Sequence, residues 1–367
     1  MKNCIFAPPN APQNKGAFGG FFMNKIRTII YLCLFAGAFL ISGSSCKQKT
    51  DEKSEEAELP LDSVATENRL KELNDLIGKN PEDANAYFSR SQIFSQRNII
   101  QQAYFDATKA TQLDSTKPEY FLHLADICFR GLQIPKAISA FEKCLQLDPK
   151  NLEANLKLSE LYMYLKAYPK SIQYANDALR IDDKKAKAYF IKGFVYKESG
   201  DTSRAISSFS TAIEVDPDNY DSYIQLGLIY GARGNDLAIQ YYTNALRLRP
   251  SSEEALYNRG FYYQETGKLE KAEEDYRTIL SKNSNHSEAY YNLGFIALVN
   301  KENYPEAIKQ FSSAIRANQN YVEAFYNRGM AYESTGDITS AIKDYRSALA
   351  IFPNYGLALD RLKELGQ

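Results

Sequence analysis

The side chains that could support acid–base or metal chemistry are few in this 367-residue chain. It has two histidines, His123 and His286, and Asp126 lies three residues after His123, within reach on a helix. No serine or cysteine nucleophile lies at a strained turn, and no second histidine supports a catalytic triad. No spacing of cysteines and histidines fits a zinc site. Paired carboxylates such as Glu253 and Glu254 fall at exposed helical offsets. The sequence therefore predicts a protein that is not an enzyme and holds no cofactor or metal.

The charge balance bears on possible partners. Lysine and arginine number 44 and aspartate and glutamate 45, so no overall positive field favours nucleic acid. We therefore expect no nucleic-acid partner.

The cysteine with a distinctive context is Cys46. Lys25 and Arg27 precede a mostly apolar run from 29 to 41, and small residues lead into Cys46. The run is too short to span a bilayer and has the length of a signal-peptide core. The context resembles the lipobox of bacterial lipoproteins, although Gly43 stands where that motif usually has leucine. The resemblance implies a lipid anchor at Cys46 and a place in the bacterial envelope, at the outer membrane. Ordinary cleavage nearby, with Cys46 unmodified, is the alternative.

The N-terminal region is predicted to consist of three parts. Residues 1–22 are rich in proline and glycine, unlike the start of a signal peptide, so we expect translation to begin at Met23; an unusually long leader is the alternative. Residues 23–45 are then the signal peptide. Residues 46–66 are charged and poor in apolar residues, which predicts a disordered tether. Its acidic character resembles the surface-export signals of some Gram-negative lipoproteins, and a plain linker explains it equally well.

The rest of the chain is built on a period of about 34 residues. A small residue recurs at steps of 34, 34, 34, 33, 34, 35 and 34 residues, at Ala103, Ala137, Ser171, Ala205, Ala238, Ala272, Ala307 and Ala341. A fixed period in this range predicts stacked helical hairpins, each of which contacts its neighbours. The fifth copy is one residue short, and the seventh is one residue long near 303–305, where we expect local bends.

One copy, residues 186–219, shows how each unit should fold. Gly193 and Ala205 allow two helices to approach closely, and Phe209 fills the remaining space. Gly200 suits the left-handed end of the first helix, and Pro217 cannot continue the second. Cys128 and Cys144 occupy positions where other copies place core residues, so we expect both to be buried; a disulfide in an exported protein is the alternative.

Amphipathic helices flank the repeats. We expect a capping helix within 67–83, with its apolar face formed by Leu70, Leu73, Leu76 and Ile77. A second cap within 356–367 should use Leu357, Leu359, Leu362 and Leu365 and turn its charged side outward. Caps of this kind keep a repeat array soluble.

Residues 84–355 resemble the tetratricopeptide repeat family. The last copy carries nearly the whole pattern of that family, at Phe325, Gly329, Tyr332, Ala341, Tyr345, Ala348 and Pro353. The first and third copies depart from it, with Ser91 in place of glycine and Ser171 in place of alanine. The resemblance implies an all-α fold, a superhelical solenoid of eight helical hairpins. It also implies that the first helices line a concave groove that binds proteins.

The groove is where the sequence places its candidate binding residues. They are aromatic, apolar or amide side chains on the first helices: Phe190, Phe194, Tyr257, Asn258, Phe261, Tyr291, Asn292, Phe295, Tyr326, Asn327 and Met330. We expect the rings to supply apolar area and the amides to hold the main chain of a protein segment. Burial of individual members against the neighbouring first helix is the structural alternative.

These features predict a lipid-anchored scaffold that binds a protein or peptide segment. It resembles accessory repeat lipoproteins of outer-membrane secretion, assembly or motility machines. A glycan-binding envelope lipoprotein is the alternative, because tyrosine and phenylalanine can stack on sugars. The absence of tryptophan and the regularity of the copies count against it.

Overall fold

The computed structural model describes residues 64–367, and within this range every regular element is helical. Residues 1–63, which include the predicted leader, the predicted signal peptide, Cys46 and most of the predicted tether, lie outside the described residues. The chain divides into two compact units, with the boundary between Pro149 and Lys150. The all-α fold of helical hairpins that the period predicts is confirmed in both units.

The first unit contains one single helix followed by two hairpins. Its helices are α1 (Val64–Lys79), α2 (Ala84–Gln96), α3 (Ile100–Leu113), α4 (Pro118–Arg130) and α5 (Ile134–Leu147). Helix α1 begins three residues before the predicted cap and packs against α2 through Leu70 and Leu73, which are buried. Leu76 was expected on the same face, but its side chain is 45% exposed, so that part of the prediction is wrong.

The second unit contains six hairpins and a final single helix. Its helices are α6 (Leu152–Tyr164), α7 (Tyr168–Ile181), α8 (Ala186–Glu198), α9 (Thr202–Val215), α10 (Tyr220–Gly231), α11 (Leu237–Leu248), α12 (Glu253–Glu265), α13 (Leu269–Lys282), α14 (Ser287–Phe295), α15 (Tyr304–Ala317), α16 (Val322–Ser334), α17 (Ile338–Ile351) and α18 (Gly356–Glu364). Within each unit, every even-numbered helix of a hairpin packs against the odd-numbered helix that follows it, and each hairpin packs against the next hairpin of the same unit.

The final helix does not pack as the sequence predicts. Helix α18 contacts α17 through Ala358 and Leu362, which are buried. Leu357 and Leu359 were expected on the same face, but both are exposed. Ala358 and Leu362 are four positions apart and therefore lie on one face of the helix, whereas Leu357 and Leu359 project to either side of that face.

Small residues fix the distance between the two helices of each hairpin. All eight recurring small residues, from Ala103 to Ala341, are completely buried. In five hairpins of the second unit, the first helix has a glycine that faces an aromatic ring of the second helix. A Cβ on Gly193, for example, would lie 2.7 Å from the ring of Phe209. Where the first helix has Ser91 or Ser159 instead, the residue sixteen positions later is alanine. The sizes of the two facing side chains therefore compensate for each other.

The turn inside each hairpin needs a left-handed residue, and several copies use one other than glycine. Gly200 has a φ of 81°, as its sequence position predicts. The equivalent turns place Asn98, Leu132, Lys166 and Glu302 at φ values between 50° and 58°. A left-handed conformation costs Leu132, Lys166 and Glu302 roughly 1–2 kcal/mol each, whereas asparagine tolerates it, so three of these four turns are strained compared with the glycine turns.

The extra residue of the seventh copy lies earlier than predicted. A π-helical turn spans Ile296–Asn300, and the amide of Lys301 bonds the carbonyl of Ile296, five residues back. Helix α15 then begins normally, with the Asn303 side chain accepting a hydrogen bond from the amide of Glu306. The insertion is accommodated inside the end of the first helix, where an added residue widens one turn without shifting the second helix.

Three arginines on first helices each bond side chains of two neighbouring helices. The guanidinium of Arg259 bonds both carboxylate oxygens of Asp275, at 2.9 and 2.7 Å, and reaches Thr243 on the preceding second helix. Arg328 does the same with Asp344 and Ser312. A third copy of the arrangement joins Arg90 to Asp106 and to Asn74 on α1. Such bidentate bonds are strong and directional, and each one ties three helices together.

The size compensation predicts a coupled pair of substitutions. Gly193→Ser should overpack the contact with Phe209 and cost about 1–3 kcal/mol. Phe209→Ala should leave a cavity and cost about 3–5 kcal/mol. The double variant recreates the Ser–Ala pairs of the first and third hairpins, so its cost should fall well below the sum of the two. Urea unfolding of the four proteins measures this, and strict additivity would contradict it.

Candidate partner-binding groove

The first helices of the second unit carry two aligned rows of large side chains. The first row is Phe190, Ile224, Tyr257, Tyr291 and Tyr326, and the second row, four positions later in each helix, is Phe194, Leu228, Phe261, Phe295 and Met330. Residues at this spacing lie on one face of a helix. The two rows therefore run side by side along the first helices.

The tyrosines of the first row are wedged between neighbouring rings. The ring of Tyr291 packs 5.7 Å from Phe311 of its own hairpin and stacks 5.0 Å from Tyr321, which precedes the next first helix. Tyr326 lies 5.6 Å from both Tyr345 and Tyr355 in the same manner. Each ring fills the junction between two successive hairpins, so its apolar area contributes to folding.

Tyr257 follows the same arrangement with a histidine as its outer neighbour. Its ring lies 6.1 Å from Tyr276 and 5.9 Å from His286. The sequence predicts that all three tyrosines stand on an open face. Tyr326 is buried, and Tyr257 and Tyr291 are half-buried, which corrects that expectation. The residue before each first helix closes over the preceding tyrosine, a contact that no single copy of the repeat reveals.

Two of the three recurring asparagines, Asn292 and Asn327, are buried at these junctions. The amide nitrogen of Asn327 donates to the hydroxyl of Tyr291 at 2.8 Å, so the amide of one repeat holds the tyrosine of the repeat before it. Asn292 and Asn327 are only 5% and 3% exposed, and neither is presented to a ligand as predicted. Asn258 differs because the preceding repeat has Ile224 and offers no hydroxyl. It is half-exposed and makes no hydrogen bond within residues 64–367.

The electrostatics of the first row keep its hydroxyls neutral. Burial raises the pKa of Tyr291 well above its usual range, and the carboxylate of Glu323 raises it further. Burial likewise raises the pKa of Tyr257, an effect that the Asn292 amide opposes and that Glu288 reinforces. Both side chains are therefore neutral hydroxyls at any physiological pH.

The second row is open to solvent chiefly at Phe261, because Phe295 and Met330 also pack against the buried core that contains Phe311. Phe261 is 39% exposed, and Phe194, Phe295 and Met330 are half-buried. The ring of Phe261 stacks 6.5 Å from Tyr257, and the ring of Phe295 lies tilted 6.4 Å from Tyr291. Supported rings of this kind offer a rigid apolar strip. The ring of Phe194 is partly covered, since the Lys197 ammonium lies 4.9 Å from its centroid.

An acidic row borders the two apolar rows. Asp221, Glu254, Glu288 and Glu323 occupy the first turns of successive first helices. Glu288 accepts a hydrogen bond from Ser287 and lies 3.3 Å from His286. None of the other three forms an ion pair within residues 64–367. The carboxylates therefore leave this side of the rows negatively charged.

The two histidines are held in contacts within the repeats. His123 in the first unit lies 3.0 Å from the hydroxyl of Ser91, but Ser91 is completely buried and donates to the carbonyl of Ala103. Burial lowers the pKa of His123. The Nδ1 of His286 accepts a hydrogen bond from the amide of Ala289 and caps α14.

The expected burial of both cysteines is confirmed. Cys128 and Cys144 are buried in the first unit, and burial raises the pKa of the Cys128 thiol. In the described part of the chain no group of three or more His, Cys, Asp or Glu side chains could hold a metal ion. No helix from Val64 onward is long and apolar enough to cross a membrane.

A surface cleft that the sequence did not predict lies at the turn end of the second unit. Its volume is about 750 Å³, and its walls include Tyr168, Tyr196, Arg204 and Arg233. Arg204 is held by Asp201 and stacks over Tyr196, which fixes one wall. The cleft is wide open and contains no residue of the two apolar rows.

Comparisons with known sequences agree with the repeat assignment. Sequence models of the tetratricopeptide repeat match residues 122–186 and 294–356, 186–219, and 253–286. A search of curated proteins gave no match.

Solved structures give a similar picture. The C-terminal part of a TPR repeat-containing protein from Cytophaga hutchinsonii is 19% identical, with 61% of this chain and 95% of that chain covered and a TM-score of 0.51. A tetratricopeptide repeat protein from Parabacteroides merdae is 17% identical, covering 71% of this chain and 98% of that chain with a TM-score of 0.49. At these identities the likeness of the Cytophaga structure concerns the fold alone.

Proposed function

Because this chain belongs to the tetratricopeptide repeat family, whose members are generally scaffolds for protein–protein interaction, we propose that it binds a protein segment along its second row. The observation that carries the proposal is the exposure of Phe261 among half-buried Phe194, Phe295 and Met330. The strip repeats once per hairpin, which suits a segment that passes from hairpin to hairpin. The family fold is typical of non-catalytic scaffolds, and we propose that role here.

The energetics favour the second row over the first as the contact surface. A side chain that already packs between hairpins gains little area when a partner arrives. A half-exposed ring with a fixed orientation can bury its remaining surface at low entropic cost, because it loses few conformations on binding. Contiguous apolar surface bordered by charge is also typical of interaction sites. We therefore propose Phe261, Phe295 and Met330 as the main contacts, with Asn258 bonding the partner's main chain.

We also propose that the protein is held in the bacterial envelope by a lipid on Cys46, at the outer membrane. The support is the apolar run from 29 to 41, the small residues before Cys46 and the charged segment after it. Each buried methylene of an acyl chain contributes about 0.8 kcal/mol, so two or more chains would hold the protein firmly. The scaffold would then present its groove to partners at the membrane, as an accessory of a secretion, assembly or motility machine.

The groove assignment predicts a selective loss of binding. The double variant Phe261→Ala, Phe295→Ala should lose partners that the intact protein retains after mild cross-linking in membranes, since such contacts often contribute 1 kcal/mol or more each. Phe352→Ala is the matched control, because this ring is 51% exposed but lies at the end of α17, outside both rows. Equal recovery of the cross-linked partners by the groove variant and the control would refute the proposal.

The anchor predicts a change of cellular fraction. Cys46→Ala should release the protein from the membrane fraction and abolish incorporation of labelled palmitate. Cys4→Ala should change neither, because Cys4 precedes the expected start at Met23. Intact protein that takes up no palmitate would contradict the anchor without bearing on the groove.

A further inference from the structure

We propose that the segment bound along the second row is extended and basic, with lysine or arginine at about every third residue facing the acidic row. This inference rests on the proposed function and adds the chemistry of the partner. It depends on three observations: the register of the carboxylates with the apolar rows, their lack of cationic partners, and the unused amide of Asn258.

The register of the carboxylates places them on the groove side. Glu254 precedes Asn258 by four residues and Phe261 by seven, which puts the three side chains on one face of α12. Asp221, Glu288 and Glu323 hold the same position in α10, α14 and α16. Glu323 is close enough to the groove to raise the pKa of the Tyr291 hydroxyl. A partner that lies on the second row therefore passes directly beside these carboxylates.

The carboxylates are not neutralised by the protein itself. Buried acids of the second unit, such as Asp275 and Asp344, are each held by an arginine. Asp221, Glu254 and Glu323 form no ion pair in the described part of the chain, and the first-turn position favours a carboxylate through the helix dipole without cancelling its charge. The row is continuous over the last four hairpins and is interrupted before them, because α8 has Lys187 at this position, paired with Glu160 at 2.7 Å.

The spacing of the row sets the spacing of the partner's charges. Packed helices lie roughly 8–10 Å apart, and an extended chain advances about 3.3 Å per residue, so one basic residue in three would match each carboxylate. An extended segment also has free main-chain N–H and C=O groups, which the unpaired amide of Asn258 can bond. A helical segment has already used those groups, which is why we favour an extended occupant.

Fluorescence anisotropy with three labelled peptides tests this on the full chain. The peptides carry four repeats of Leu-Lys-Ser, Leu-Glu-Ser or Leu-Gln-Ser. We expect the lysine peptide to bind at least about tenfold more tightly than the glutamate peptide at low salt, with the difference shrinking as salt rises. Equal affinities, or no binding of any peptide, would overturn the inference.

Two matched triple variants separate the row from general acidity. Asp221→Asn, Glu254→Gln, Glu323→Gln should weaken the lysine peptide about tenfold, because three exposed pairs are lost. The control Glu214→Gln, Glu270→Gln, Glu274→Gln removes the same charge from exposed positions on second helices and should leave binding unchanged. Equal effects of the two variants would overturn the inference.

The same assay distinguishes failure of the inference from failure of the proposed function. If Phe261→Ala, Phe295→Ala weakens every peptide while the charge variants behave alike, the groove binds segments but does not select basic ones. If the phenylalanine variant binds every peptide as the intact protein does, the second row is not the contact surface and the proposed function falls as well.

Discussion

The close approach of the two helices in each hairpin is the constraint on which the rest of the second unit depends. Gly294 shows how it works: a Cβ there would lie 2.8 Å from the Phe311 ring, so only glycine lets that ring occupy the crossing. Phe311 in turn supports Tyr291, and Tyr291 stacks on Tyr321 of the next hairpin. A contact made inside one hairpin thus fixes the surface where the next hairpin docks.

This chain of contacts also decides which groove residues remain free. Neighbouring first helices approach closely enough for Asn327 to bond the hydroxyl of Tyr291, which commits both side chains to the junction between hairpins. The arginine contacts act at the same junctions, since Arg259 and Arg328 each reach a second helix of the preceding hairpin. The rings of Phe261 and Phe295 lie one turn further along the first helices, where residues of the junction support them without enclosing them. Stability and binding are therefore divided between two adjacent rows.

The sequence predicts the repeat and its core because a period of buried small residues is strong evidence when eight copies agree in phase. It does not distinguish a free tyrosine from a wedged one. Tyr-Asn recurs at 257, 291 and 326, a pattern that would suit a peptide-binding ladder, yet Asn292 and Asn327 are buried and the amide of Asn327 bonds the hydroxyl of Tyr291. Burial between repeats depends on how far apart the hairpins stand, which no single copy encodes. The arginine contacts could have been found, since Arg90, Arg259 and Arg328 each precede an aspartate by sixteen residues.

Local hydrogen exchange of two single variants tests the division between the rows most directly, because it reports the opening of one hairpin junction at a time. Tyr291→Ala should speed exchange across residues 287–334 by more than about tenfold, since truncation of a packed ring typically costs several kcal/mol. Phe261→Ala, which removes a ring that is 39% exposed, should change exchange by no more than about twofold in its own hairpin. Equal protection in the two variants, or faster exchange in Phe261→Ala than in Tyr291→Ala, would contradict the account.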